Sequence, residues 1–485
     1  PRWLFVNGCA SVMEGGNRAG AARDPNWVWA EAFIETFAQQ LVSGWTKSSS
    51  DKGKEARNTD SPRQTKKVSS LRAAQTPRRL YPSGQVSLVP AYYEPPTPKH
   101  DIVWDGSMGE RKLNVKNFWK HFACFQATDF NRGAVQALEK LGRYRKPLWY
   151  DPMLASAAPI MVEHQIEYHR EELDDGRGGH VMLDWAHPEE EGTPGADVPT
   201  VMVFPGLAGH SDKDYIRSLC TAITDSLGWR ACVMNWKGFH DAPIAKGGVF
   251  RPDDISDMEV AIEAAHRRHP NDLLFAVGFS AGSNQLVKFL GSRGEHHPVA
   301  AGVSVCNGFE YEKHVRRIEE TTVGQEVYSR GMTYLHQEYL RKHRDELSQI
   351  EGFDLDRALA ATKHSELDEA LVCSLYGYSD VADYYRAVAC RPHIPNVTVP
   401  LLCVQAGDDP LFTEGGVKCR DVLPVDELHD NPNVIYFETE LGSHLSFIEA
   451  EVPGGVSRHE HTFCDRIVDA FLSYAKERVR RRHTF

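Results

Sequence analysis

Residues 272–291 read DLLFAVGFSAGSNQLVKFLG, and the fold follows from how this stretch is divided. Its first part, 272–278 (DLLFAVG), is a short unbroken apolar run, the pattern of a strand buried on both faces. Its last part, 281–291 (AGSNQLVKFLG), reads as a helix. Between them stands Gly278-Phe279-Ser280-Ala281-Gly282, of the form G-x-S-x-G. Alone that pattern is weak. Set between a buried strand and a helix it becomes specific. A serine on so sharp a turn takes a strained backbone, only small neighbours fit beside it, and its hydroxyl is displayed at the positive end of a helix dipole. An ordinary strand-to-helix turn with a capping serine is the plainer alternative.

Working outward, similar apolar runs recur at 200–204 (TVMVF), 230–235 (RACVMN), 299–305 (VAAGVSV), 400–406 (PLLCVQA) and 433–437 (NVIYF). Helical patterns separate the first of them; in 254–266, Ile255, Met258, Ile262 and Ala265 return at three- and four-residue steps. This alternation predicts an α/β fold, a mostly parallel sheet flanked by helices. It breaks between 308 and 396, an insert too long for a structureless loop and rich in Tyr, His, Glu and Arg, which predicts a helical cap. The stretch 462–479 predicts a closing helix and 114–141 an earlier one. Residues 26–41 have amphipathic spacing, whereas 43–79 are too polar to offset the entropy of ordering and are expected to be disordered. The domain is therefore expected to span 143–479, behind a partly disordered extension at 1–142.

A serine hydroxyl is a poor nucleophile until a base removes its proton. On such a sheet the base is expected on a late loop, held by a carboxylate from a preceding strand end. The run PLLCVQA leads into Gly407-Asp408-Asp409-Pro410, and NVIYF leads to Glu440-Leu441-Gly442-Ser443-His444. Both loops fall at the carboxyl ends of their strands, the edge where open parallel sheets meet ligands. Ser280, Asp409 and His444 are thus the candidate triad, with Asp408 as the alternative acid and a surface loop as the bland reading of His444. An oxyanion would need two N–H donors, assigned to Ala281 and to Leu207 in the loop 205–210 (PGLAGH). His210 reads as a loop residue, and His459 and His461 lack zinc-protease spacing.

Composition narrows the field. The chain has 485 residues, 41% of them hydrophobic, and a formal net charge of −12, which argues against nucleic-acid binding. Its ten cysteines show no CxxC spacing, so neither zinc nor a redox pair is expected, and a reducing, intracellular compartment follows, cytoplasmic or membrane-associated. No run of eighteen apolar residues occurs. The chain opens on Pro1 rather than Met, which suggests a fragment or processed product with any targeting segment upstream. The basic stretch 476–482 reads first as a solvated helix end and second as a contact for an anionic membrane.

Taken together, PGLAGHSDKDYIRSL (205–219), GFSAGSNQLVKFLG (278–291), LYGYSDVADYYRAV (375–388), VPLLCVQAGDDPLF (399–412) and GSHLSFIE (442–449) resemble the α/β-hydrolase-domain-containing lipases and esterases. That family includes animal monoacylglycerol lipases, yeast medium-chain fatty-acid ethyl ester synthase/esterases and bacterial relatives. The resemblance runs from about 144, or more safely 164, to 475. It implies the α/β-hydrolase fold and hydrolysis of carboxylic esters with lipid-like acyl groups, such as monoacylglycerols or short- and medium-chain esters, with no metal or organic cofactor. Transfer of the acyl group to an alcohol is the nearest rival, and a non-catalytic scaffold a more distant one. The family usually has Gly where this chain has Ser283 and Ser446, and 147–159 (PLWYDPMLASAAP) lacks the usual Gly-His-Leu-Gln-Thr run.

Overall fold

The computed structural model describes residues 91–92 and 121–483, apart from 143, 148–149, 158–165, 188–197, 245–248, 414–415 and 450–460. The expected helix at 26–41 and the polar stretch 43–79 lie outside the described residues. Ten strands among the described residues form one sheet: β1 (Ala91–Tyr92), β2 (His121–Phe125), β3 (His169–Asp174), β4 (His180–Ala186), β5 (Thr200–Phe204), β6 (Arg230–Asn235), β7 (Leu274–Phe279), β8 (Val299–Val305), β9 (Leu401–Ala406) and β10 (Val434–Thr439). Their order is β1-β2-β10-β9-β8-β7-β5-β6-β4-β3. The stretch from β10 to β6 is parallel, with antiparallel pairs on either side of it.

The main helices are α1 (Asp129–Glu139), α2 (Asp214–Thr221), α3 (Ser256–Arg268), α4 (Ala281–Arg293), α5 (Tyr311–Glu320), α6 (Arg330–Lys342), α7 (Val381–Val388) and α8 (Phe463–His483). Because side chains alternate along a strand, each central strand feeds two cores. Val201 and Val203 of β5 join Val277, Leu402 and Ile435 in a cluster closed by α1, α2 and α8. Met202 and Phe204 join Ala276, Cys403 and Tyr436 in a second cluster, closed by α3 and α4. Such two-sided burial is why these strands are unbroken apolar runs, each large side chain contributing roughly 1.5–3 kcal/mol.

Between β8 and β9 the chain is mostly helical from Tyr311 to Asn396, in short helices joined by turns, and builds its own core around Tyr339, Leu340, Leu371 and Tyr384. This cap rests on strand-end loops: Tyr376 Oη accepts from the Val249 N–H at 2.9 Å, and His343 Nε2 lies 2.7 Å from the Gly238 carbonyl.

The expected helix over 114–141 needs correction. Residues 121–125 (HFACF) are a strand, paired antiparallel with β10 so that Phe125 faces Ile435 and His121 faces Thr439. The helix starts only at Asp129, where the Thr128 side chain accepts from the Asn131 N–H at 3.1 Å. Five residues of aromatic and small apolar character suit either conformation locally, and pairing with an open strand edge decides between them. The sheet therefore begins ahead of the expected boundary at 143.

Candidate active site

Strand β7 runs directly into Ser280, which has φ 49° and ψ −112°, a left-handed conformation rare for a residue with a side chain. Its N–H is tied to the Val305 carbonyl at 2.9 Å. The two flanking glycines are required by proximity. A Cβ on Gly278 would stand 2.6 Å from the Gly282 carbonyl oxygen, and one on Gly282 would stand 2.3 Å from the Phe204 oxygen. The turn thus exists because β7, α4 and the end of β5 approach more closely than any other residue allows.

The structure brings the three candidate side chains together. His444 Nε2 lies 3.1 Å from Ser280 Oγ, and His444 Nδ1 lies 2.7 Å from Asp409 Oδ2. Asp409 is fully buried, and its Oδ1 accepts the Leu411 N–H at 3.0 Å. A buried carboxylate accepting at Nδ1 fixes the proton there and leaves the Nε2 lone pair facing the serine. Asp408 points elsewhere: Oδ2 accepts from Tyr150 Oη at 2.6 Å and Oδ1 from the Ser443 N–H at 3.0 Å. Burial raises the Asp408 carboxyl to about 6; Tyr150 and Ser443 oppose the rise, and the neighbouring Asp409 charge adds to it.

The loop after β5 lies against Ser280, since a Cβ on Gly206 would fall 3.3 Å from Ser280 Cβ. It is held by Trp236 Nε1, 3.1 Å from the Pro205 carbonyl, and by Tyr215 Oη, which accepts the Gly206 N–H at 3.0 Å. Among the described residues, neither the Leu207 nor the Ala281 N–H donates to a protein acceptor.

Four residues beside the site were given no role by the sequence, although Ser446 stood out there as a departure. Tyr150 bridges two loops, donating to Asp408 while accepting the Gly442 N–H at 2.8 Å. Ser443 and Ser446 donate to the Pro152 and Ala155 carbonyls, and Ser156 Oγ lies 2.5 Å from Ser443 Oγ. Tyr150 and the partners of these serines, Pro152, Ala155 and Ser156, all sit in 147–159, where the chain departs from the pattern it resembles; that departure was the available clue. Ser283, another of the departures, donates to the Ser280 carbonyl at 2.6 Å.

Two groups approach metal-ligand spacing among the described residues. In Cys306, Asp409 and His444 the facing atoms of the last two already bond each other, and burial holds the thiol protonated. In His210, Asp212 and His240 the imidazoles are stacked at 4.5 Å and 6°, so their lone pairs run side by side instead of converging. Burial, with Lys213 and His240 adding to it, pushes His210 down to about 3.

Fold and strand-end site together define an α/β hydrolase. The profile described as the alpha/beta hydrolase fold matches residues 199–451, just over half of the chain, which belongs to that family. The chain is 25% identical over 324 residues to the human protein named phospholipase ABHD3, covering 66% of this chain and 74% of that one. It is 28% identical over 298 residues to mouse monoacylglycerol lipase ABHD2, covering 59% and 68%. A yeast (Saccharomyces cerevisiae) monoacylglycerol lipase is 25% identical over 254 residues, 52% of this chain and 55% of its own. Among solved structures, an esterase of Pyrococcus furiosus aligns with 68% of this chain and 95% of its own at 16% identity and a TM-score of 0.39.

Proposed function

We propose that this chain is a serine carboxylic ester hydrolase acting on lipid-like acyl esters, with Ser280 as nucleophile, His444 as base and Asp409 as its orienting acid. The observation that carries the reading is the unbroken hydrogen-bonded series from Ser280 Oγ through His444 to Asp409. The lipase and phospholipase names of the relatives support the substrate class.

In the first half-reaction Ser280 Oγ attacks the ester carbonyl carbon as Nε2 takes its proton. The N–H groups of Ala281 and Leu207 receive the oxyanion, and Asp409 stabilises the imidazolium. His444 then returns the proton to the leaving alcohol, and the C–O bond to that alcohol breaks. Water repeats the sequence on the acyl-enzyme, releasing the acid and restoring the serine. Ser280→Ala is expected to lower ester turnover by roughly 10⁴–10⁶-fold and to abolish fluorophosphonate labelling, with the melting temperature retained. Turnover within tenfold of the parent chain in that variant overturns the reading.

A further inference from the structure

Beneath the cap lies a small pocket of about 10 Å³, room for a single oxygen atom. Its lining includes Leu207, whose N–H is proposed above as an oxyanion donor, which places the pocket beside the loop after β5. Its polar lining is formed by His336, His364 and Asp368, together with Tyr311 and Tyr384. Apolar residues such as Phe250 and Leu371 complete the wall.

The polar lining is incomplete. His364 is 1% exposed, yet among the described residues neither ring nitrogen has a hydrogen-bond partner; Nε2 stands 3.5 Å from Asp368 Oδ2, ion-pair distance without a hydrogen bond. His336 spends its Nδ1 proton on the Met332 carbonyl at 3.1 Å, which leaves Nε2 as an acceptor, and its ring centre is 5.3 Å from that of His364. Buried polar groups are ordinarily satisfied, and an imidazole buried without a partner is a cost that a bound ligand removes. We infer that His336, His364 and Asp368 form a subsite for one neutral hydroxyl group of the ester substrate. This rests on the ester-hydrolase reading.

Charge distinguishes a hydroxyl from a phosphate. Burial lowers both imidazoles to about 4, so they are uncharged near neutrality, and burial raises Asp368 to about 6. The carboxylate of Glu319 also acts on His364 and Asp368. With two neutral imidazoles and one carboxyl group lining it, and the Glu319 carboxylate acting from outside, the subsite offers a hydroxyl both acceptors and a donor but gives a phosphate no cation.

The hydroxyl can belong to the alcohol or to the acyl chain, and two substrate pairs separate these sources. One pair is a 1-acylglycerol and the ethyl ester of the same acid; the other is an ω-hydroxyacyl ethyl ester and its unhydroxylated parent. The readout is the ratio of kcat/KM within each pair on the full-length chain. Roughly tenfold or greater preference for one hydroxylated member is expected, and it names the source. In Asp368→Asn and His364→Phe that ratio falls toward one, whereas a general loss of folding lowers both members together and leaves it in place. Ratios near one in the parent chain for both pairs, the result for a pocket holding only a structural water, overturn the inference. So does an undiminished ratio in both variants, or a preference for a glycerophosphate ester over the neutral glycerol ester. If the parent chain cleaves none of the esters and Ser280 resists fluorophosphonate, the ester-hydrolase reading itself fails and the subsite falls with it.

Discussion

At the level of single residues the decisive comparison is between Asp409 and its neighbour. Both carboxylates end the same strand, and spacing alone left the pair open, with preference for the one before proline. Geometry separates them. Asp409 reaches Nδ1 of His444, while Asp408 is turned to Tyr150 and the Ser443 N–H. Replacing a carboxylate that fixes a tautomer by an amide leaves the shape but misplaces the imidazole proton. Asp409→Asn is therefore expected to lower kcat by about 10⁴-fold. Asp408→Asn keeps an oxygen for Tyr150 or Ser443 and is expected to cost roughly tenfold or less, the scale of one neutral hydrogen bond. Single-turnover acylation rates of the two variants decide the matter, and equal losses would remove the distinction. What spacing could locate was the serine, the histidine and a two-residue window for the acid, because each follows a recognisable strand. Which oxygen faces which nitrogen depends on loop torsions, which leave no periodic trace.

At the level of elements, the loop after β10 shows how the proposed base His444 is held by backbone strain and local ties. Ser443, Leu445 and Phe447 have φ values of 57°, 67° and 46°, and Gly442 is required because a Cβ there would stand 2.6 Å from the Phe447 ring. Strained non-glycine residues persist only where the surroundings over-determine them. Here the surroundings are the short helix Pro152–Ala157, whose carbonyls accept from Ser443 and Ser446. Ser446 is nearly buried, so Ser446→Ala strands the Ala155 carbonyl and is expected to destabilise the chain by about 1 kcal/mol. Because the same contact positions the His444 loop, kcat is expected to fall while KM holds. Urea unfolding and steady-state kinetics on one preparation test both halves, and an unchanged kcat alongside reduced stability would confine Ser446 to a structural role.

At the level of the whole molecule, legibility follows burial. The parallel strands from β5 to β10 are covered on both faces and therefore stand out as apolar runs. The hairpin of β3 and β4 does not: β3 reads HREELD, alternating between exposed and half-buried positions at a sheet edge, and carries no apolar signature. Strand β2 was hidden differently, since HFACF is apolar but its place in the sheet is set by pairing with β1 and with β10, the latter some 300 residues later. This bears on where the folding unit starts. Phe125, Val135 and Leu138 are each 1% exposed within the core closed by α8. Helix α1 approaches α8 so closely that a Cβ on Gly133 would collide with Tyr474. At roughly 1.5–3 kcal/mol for each large side chain, burial of these three alone rivals a typical net stability of about 5–15 kcal/mol. A chain beginning at residue 143 also leaves the β10 edge unpaired, an invitation to aggregation. It is therefore expected to be insoluble or to lack a cooperative melting transition, unlike the full chain. Should residues 143–485 melt at the temperature of the full chain, β2 and α1 would be an appendage to the sheet, and the boundary read from the sequence would stand.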